Sequence, residues 1–218
     1  SNAADALDKL RFEAIANEKL KPEGYSARIR LIPDAEAGTL TIDDSGIGMG
    51  KATLATDLGT VARSGTREFA EKLAQAQKSG DANLIGQFGV GFYSGYLIAD
   101  RIDVISRQAG TTKAHKWSST GEDSFTVEAA ERQQAGTSVV LHLKDDFKDF
   151  TRDWKLRSVV RRYSDFIDYP IELQVEKTTK EGEGDDAVEK TELVFEVINE
   201  ANALWIRTPK DVEAEQHE

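Results

Sequence analysis

The sequence predicts an α+β protein, a two-layer α/β sandwich built on a mixed, mostly antiparallel sheet. Short stretches of alternating apolar and polar residues, each bounded by turn residues, supply the strands. Two segments, 4–17 and 153–167, instead carry apolar residues at helical spacing. The strands follow one another without a regularly interposed helix, which favours antiparallel pairing over a doubly wound parallel sheet. No internal repeat is present.

The totals narrow the function classes. A chain of 218 residues, 39% hydrophobic and 31% charged, is long enough for one large domain with a small appendage. Its net charge of −11 argues against non-specific nucleic-acid binding. With no cysteine, disulfides, thiolate catalysis and cysteine-ligated zinc are excluded. His115, His142 and His217 lie too far apart to make a metal-ligand spacing. No apolar run reaches membrane-spanning length and no signal peptide is visible. The expectation is a soluble, cytoplasmic domain with neither a nucleic-acid nor a membrane partner.

In chain order, Ser1-Asn2-Ala3 reads as the remnant of a cleaved purification tag. In the helix 4–17, Leu7, Leu10 and Ala14 share a face, while Asn2, Asp5 and Lys9 fall on the opposite one, a solvated surface on this spacing alone. Lys21-Pro22-Glu23-Gly24 ends the helix. Residues 27–31 alternate as a strand, Ala37-Gly38 turns the chain, and the strand that follows completes a hairpin. On that second strand Leu40, Ile42 and Asp44 point the same way, so a carboxylate is aimed inward where the strand stops. Such a group needs a partner, because desolvating it alone costs on the order of several kcal/mol or raises its pKa. Ser45-Gly46-Ile47-Gly48-Met49 then turns the backbone, with glycines where a Cβ would hold another molecule away. On this stretch alone, Asp44 as a helix cap or turn residue stays open.

A short helix is expected at 51–58. Segment 59–91, broken by glycines at 59, 65, 80, 86, 89 and 91 around an amphipathic helix at 67–77, reads as a mobile lid. Residues 90–99 read as a buried helix and 102–107 as a strand; further strands are expected at 113–119, 125–129 and 137–143. On the last of these Thr137, Val139, Leu141 and Leu143 share a face, which sends a hydroxyl the same way as the apolar side chains. The helix 153–167 places Leu156, Val159, Val160, Tyr163 and Ile167 in register and leaves Arg157, Arg161 and Arg162 on a solvated face. Pro170 stops it and a strand begins at 171–176. The charged segment 178–192 is a hairpin loop or a short linker, 192–197 is a strand, and Ala203-Leu204-Trp205-Ile206 is apolar ahead of an acidic tail.

Gly86-Gln87-Phe88-Gly89-Val90-Gly91-Phe92 is a glycine-rich turn running into the next segment, an arrangement that presents backbone N–H groups to an anion. It is not a P-loop, since no Gly-Lys is followed by Ser or Thr. Its G-x-x-G-x-G spacing is not the dinucleotide fingerprint either.

Taken together, Ile42-Asp43-Asp44-Ser45-Gly46-Ile47-Gly48-Met49, Leu58-Gly59-Thr60-Val61-Ala62-Arg63-Ser64-Gly65-Thr66 and the run from Ile85 through Ser94 resemble the ATP-binding domain of the 90-kDa heat-shock protein chaperones. Gly136-Thr137 and Ala203-Leu204-Trp205 fit as well, and the short charged segment is closer to the bacterial type than to the long-linker eukaryotic forms. The resemblance covers nearly the whole chain. It implies the Bergerat or GHKL ATPase fold shared with gyrase B, the MutL proteins and sensor histidine kinases. It also implies a nucleotide-binding domain at 1–198, with a lid at about 59–91, and an extension at 199–218 toward a middle domain.

The resemblance assigns roles to particular residues. Asp44 would accept a hydrogen bond from the adenine amino group, with Thr137 beside it through water. Gly48 and Met49 would line the adenine pocket, and Gly89, Val90, Gly91 and Phe92 would offer backbone donors to the phosphates. Asp57 falls among the nucleotide-binding positions too. The magnesium-ligating asparagine of the family lies in a helix that Ser1-Asn2-Ala3-Ala4-Asp5-Ala6 matches in register, so Asn2 is either that ligand or a tag residue in its place. On this reading Asp5 and Lys9 belong to the pocket side.

The implied cofactors are ATP or ADP and Mg2+. The implied partners are unfolded client proteins and a second copy of the full-length chain, the piece itself being monomeric. The family's general-base glutamate is expected upstream of this asparagine and is absent from the chain, which implies impaired hydrolysis. A gyrase B or MutL type DNA enzyme, or a non-catalytic nucleotide-sensing module, are the alternatives.

Overall fold

The computed structural model describes residues 1–59, 91–122, 124–181 and 188–200. Within them an eight-stranded sheet runs in the order β5-β4-β3-β6-β2-β1-β7-β8. Its strands are β1 (Ile29–Asp34), β2 (Thr39–Asp44), β3 (Ala99–Arg107), β4 (Ala114–Ser119), β5 (Thr126–Ala130), β6 (Gly136–Leu143), β7 (Ile171–Glu181) and β8 (Val188–Val197). All neighbours pair antiparallel except β1 and β7. The mixed, mostly antiparallel α+β sandwich expected from the sequence is therefore the observed architecture.

Register divides the sheet into two chemically different faces. Rows across β2, β6 and β3 bring together Leu40, Leu141 and Ile102, then Ile42, Val139 and Val104, then Asp44, Thr137 and Ser106. Trp117 of β4, fully buried, continues the middle row opposite Val104. Two helices, α1 (Asn2–Ala16) and α3 (Asp153–Tyr163), cover this inner face through Leu7 and through Leu156 and Val160. Between them in sequence lies α2 (Lys51–Thr53), which continues as a π-helical turn through Leu58. The outer face carries the residues of opposite parity: Asp43, Ser138, Asp103, His142 and Lys116. There Asp103, buried, pairs with Arg101, Lys116 and His142 and accepts a hydrogen bond from Ser118.

Several boundaries differ from expectation for identifiable reasons. The buried helix expected at 90–99 is, where described, a 3-10 helix at Phe92–Leu97, and Ala99 already belongs to β3. The run is apolar on every side, so its composition fits a strand end as well as a helix. Helix α3 ends at Tyr163, which is 70% exposed instead of sharing the core face. Ile167 packs against the core from beyond the helix end, where Asn199 receives the chain by donating to the carbonyls of Ile167 and Tyr169. Arg157 is not merely solvated, since it bridges Asp153 and Glu196 of β8. The charged segment is a hairpin whose strands pair out to Glu181 and Val188. Cross-strand pairing sustains it where composition gave no core. The lid helix at 67–77 and the apolar stretch 203–206 lie outside the described residues. Among those described, no helix is long and apolar enough to cross a membrane.

Leu173 is fully buried on β7, while Leu193 is 64% exposed on neighbouring β8. Leu173→Ala is expected to cost about 2–5 kcal/mol, and Leu193→Ala within about 0.5 kcal/mol. Urea denaturation of both variants checks this, and equal losses would contradict the observed register.

Candidate functional site

Between α1, the ends of β2, β3 and β6, and the Phe92–Leu97 helix lies a cavity of about 670 Å3. Its walls are mostly apolar, with Ile42, Met49, Leu58, Phe92, Ile98 and Val139 among them. Asp44 and Thr137 are its polar groups on the sheet side, side by side in the β2–β6 register. Its volume falls in the range of small-molecule and cofactor pockets.

The turn after β2 is fastened on three sides. Toward α1, the Ile47 N–H donates to the Ala6 carbonyl at 3.0 Å. A Cβ on Gly46 would stand 2.6 Å from the Ala6 backbone, so only glycine permits that approach. Toward β3, the Ala109 N–H donates to the Ile47 carbonyl at 2.8 Å. Gly48 has φ +66°, and a Cβ there would lie 2.0 Å from the Arg107 carbonyl oxygen. Toward β1, Ser45 Oγ accepts from the Arg28 N–H and donates to the Ser26 carbonyl, while the Tyr25 hydroxyl donates to the Ser45 carbonyl at 2.9 Å.

Asp44 is 6% exposed. Burial pushes its carboxyl up to about 6, against the Gly46 N–H donated to Oδ1 at 2.9 Å and the positive charge of Arg132. Desolvation wins because these partners leave acceptor capacity unused on a group removed from water.

Beside it a hydroxyl relay is set by Ser106, a fully buried residue of β3 that sequence reasoning missed. Its Oγ accepts from the Met49 N–H at 2.8 Å, donates to the Gly136 carbonyl at 3.1 Å and meets Thr137 Oγ1 at 2.9 Å. With the Ser106 proton given to Gly136, Thr137 donates to Ser106 and turns its lone pairs toward the cavity. The signal was in the sequence: Ser106 shares the parity of Ile102 and Val104, so a hydroxyl falls on an apolar face.

Of the residues singled out from sequence, Asn2, Asp44, Gly48, Met49, Gly91, Phe92 and Thr137 all line the cavity. Asp5 and Lys9 do not. They occupy the adjoining stripe of α1, which faces solvent, because Ala3 and Ala6 turn to the cavity and Leu7, Leu10 and Ala14 to the core. Asp57 is exposed on the turn after α2, where it accepts from the Thr56 hydroxyl at 2.8 Å. Gly89 and Val90 lie outside the described residues.

No protein-family model matches the chain. Among individual proteins it is 54% identical to the chaperone protein HtpG of Myxococcus xanthus, 48% to that of Polaromonas sp. and 45% to that of Halorhodospira halophila. Each alignment covers 100% of this chain and 33%, 35% and 34% of the respective relative. The chain thus spans about a third of the length of the curated relatives it matches.

The raised Asp44 carboxyl has a consequence for stability. The folded protein holds this proton more tightly than the unfolded chain, whose Asp titrates near 4. Stability from this group is therefore full below about pH 4 and is lost as pH rises through about 6. Between pH 4.5 and 7.5 the wild type is expected to lose about 2 kcal/mol relative to Asp44→Asn. Urea denaturation of both proteins at the two pH values reads the difference; parallel pH dependence would show that Asp44 is not the group responsible.

Proposed function

We infer that this chain, an HtpG homologue across its whole length, is the nucleotide-binding part of a molecular chaperone and holds ATP or ADP in the cavity closed by Asp44. The observation that carries the reading is a buried, under-partnered carboxylate at the end of a mostly apolar cavity. Adenine would meet those requirements: its exocyclic amino group would donate to Asp44, the apolar wall that includes Met49, Ile98 and Val139 would receive its ring, and Thr137 would offer lone pairs to a bridging water. Guanine carries a carbonyl oxygen where adenine carries the amino group, and would set two acceptors against each other. The GHKL fold assignment belongs to the same reading.

Among the described residues, and apart from its chain neighbours, no atom lies within 4 Å of a Cβ built on Gly91, so that side of its backbone can approach a ligand closely. A magnesium ion bound with nucleotide would neutralise phosphate charge. Asn2, on the cavity wall, is the residue that would hold it. Among the described residues no group of three or more His, Cys, Asp or Glu could hold a metal by itself. That suits magnesium, which keeps waters and substrate phosphates as most of its ligands. Asp44 is the one carboxylate among the described lining residues and is taken up with the base, so slow turnover is proposed for this chain. Action on client proteins and nucleotide-driven clamping of a homodimer are proposed for the full-length protein.

Calorimetric titration tests the reading. ADP is expected to bind, GDP to bind at least about 100-fold more weakly, and Asp44→Asn to abolish ADP binding while remaining folded. Magnesium should tighten ADP binding in the wild type and have no effect in Asn2→Ala. Equal affinity for ADP and GDP, or full binding by Asp44→Asn, would rule this assignment out.

A further inference from the structure

We propose that Arg132 is a positioning residue for Asp44, fixing the end of β2 from the outer face of the sheet and supplying the counter-charge of the buried carboxylate. Arg132 lies in the loop between β5 and β6, well separated in sequence from the turn after β2. That loop is itself held: Arg107, at the end of β3, donates through Nη1 to the carbonyls of Arg132 and Gln133 and through Nε to that of Thr111. From this anchored position the Arg132 guanidinium spans both acidic residues of the Asp43-Asp44 pair. Its Nη1 meets Asp43 Oδ1 at 2.7 Å and donates to Ser138 Oγ; its Nη2 donates to the Asp44 carbonyl at 3.0 Å. Ser138 in turn donates to Asp43 at 2.6 Å and completes the triangle.

The backbone is shaped to allow this contact. Gly136 has φ +125°, and a Cβ there would stand 2.1 Å from the Asp44 carbonyl oxygen and 2.9 Å from Arg132 Nη2. Only glycine leaves room for the guanidinium and carbonyl to meet. The Arg132 side chain is 14% exposed, so solvent screens its charge weakly. The two aspartates diverge by strand parity: Asp43 fixes Arg132 on the outer face, and Asp44 receives the field on the inner face.

The other charged or titratable groups around Asp44 are Asp43 on its own strand, Tyr25 and Arg28 ahead of β1, Arg107 at the end of β3 and the amino terminus at Ser1 on α1. Arg132 is the cation that lowers the Asp44 carboxyl, and Asp43 opposes it. The value of this arrangement to the protein rests on the nucleotide reading, because an anionic acceptor is what the base's amino group needs.

The test follows the Asp44 carboxyl carbon by NMR in the ligand-free chain across pH 4 to 9, with ADP titrations alongside. Arg132→Gln should move the Asp44 midpoint up by about one pH unit, Asp43→Asn should move it down, and Arg132→Lys should stay nearer the wild type than the glutamine variant. ADP affinity of Arg132→Gln should fall about threefold at pH 6.5 and recover at pH 8.5. A midpoint unmoved in Arg132→Gln, or an affinity loss equal at every pH, overturns the proposal. If the glutamine variant does not fold, an unmoved or raised midpoint in Asp43→Asn overturns it instead. A wild type that fails to bind ADP sinks the nucleotide reading, and the midpoint comparison alone then decides the role of Arg132.

Discussion

Removing the Asp44 carboxylate from water without a full set of partners is the constraint around which this structure is arranged. Asp103 provides the internal comparison. The two residues have similarly little exposed surface, 6% and 5%, and lie on the same sheet. Burial pushes both up. For Asp103, hydrogen bonds from Ser118 and His142 with the charges of Lys116 and Arg101 outweigh it and hold the carboxyl below the usual range. For Asp44, the backbone N–H groups of Gly46 and Thr137 and the Arg132 guanidinium do not outweigh it, and the carboxyl rises. Asp44 lies deeper than Asp103 and has fewer partners, so similar exposure ends in opposite outcomes, which separates a carboxylate satisfied by the fold from one left for something outside it.

Strand parity distributes these roles, and parity is why much of the site was legible in the sequence. Leu40, Ile42 and Asp44, and likewise Thr137, Val139, Leu141 and Leu143, fall on the cavity side because alternate residues must share a face. Pairing Asp44 with Thr137 needs a register that alternation on either strand alone does not supply. The antiparallel β2–β6 pairing does. Helix α1 was legible in the same way for its core side, and not for its other positions. Asn2 lines the cavity and Asp5 does not, though both lie away from Leu7, because only the tertiary position of α1 decides how far the wall extends along it.

What stayed hidden has a common physical origin. Ser106 and Arg132 act through partners distant in sequence; Ser106 leaves one local sign, its parity with Ile102 and Val104, and Arg132 leaves none. A serine in a strand is unremarked until its neighbours are known to be buried, and an arginine in a polar loop reads as solvated. Arg157 was misread for the same reason, since Glu196 reaches it only because β8 lies beside β7. Helical and strand patterns are statements about one element; ion pairs and hydroxyl relays are statements about which elements meet. The 90–99 stretch differs for another reason, because a mostly apolar run broken only by Ser94 and glycines gives no period to read.

The turn after β2 joins these observations mechanically. It is bonded to α1 through Ala6, to β3 through Ala109 and Ser106, and to the approach to β1 through Tyr25, Ser26 and Arg28. Three glycines, at 46, 48 and 136, stand where the backbones are too close for any Cβ. Such a junction cannot relax one contact without disturbing the others, since close-packed backbones have little room to slide. That rigidity is what allows a carboxylate to remain poorly partnered: a mobile turn would swing Asp44 to solvent and relieve the cost. Fixing the group inside the cavity stores the unmet hydrogen-bonding demand there, and a ligand with a donor at that position is recognised by satisfying it.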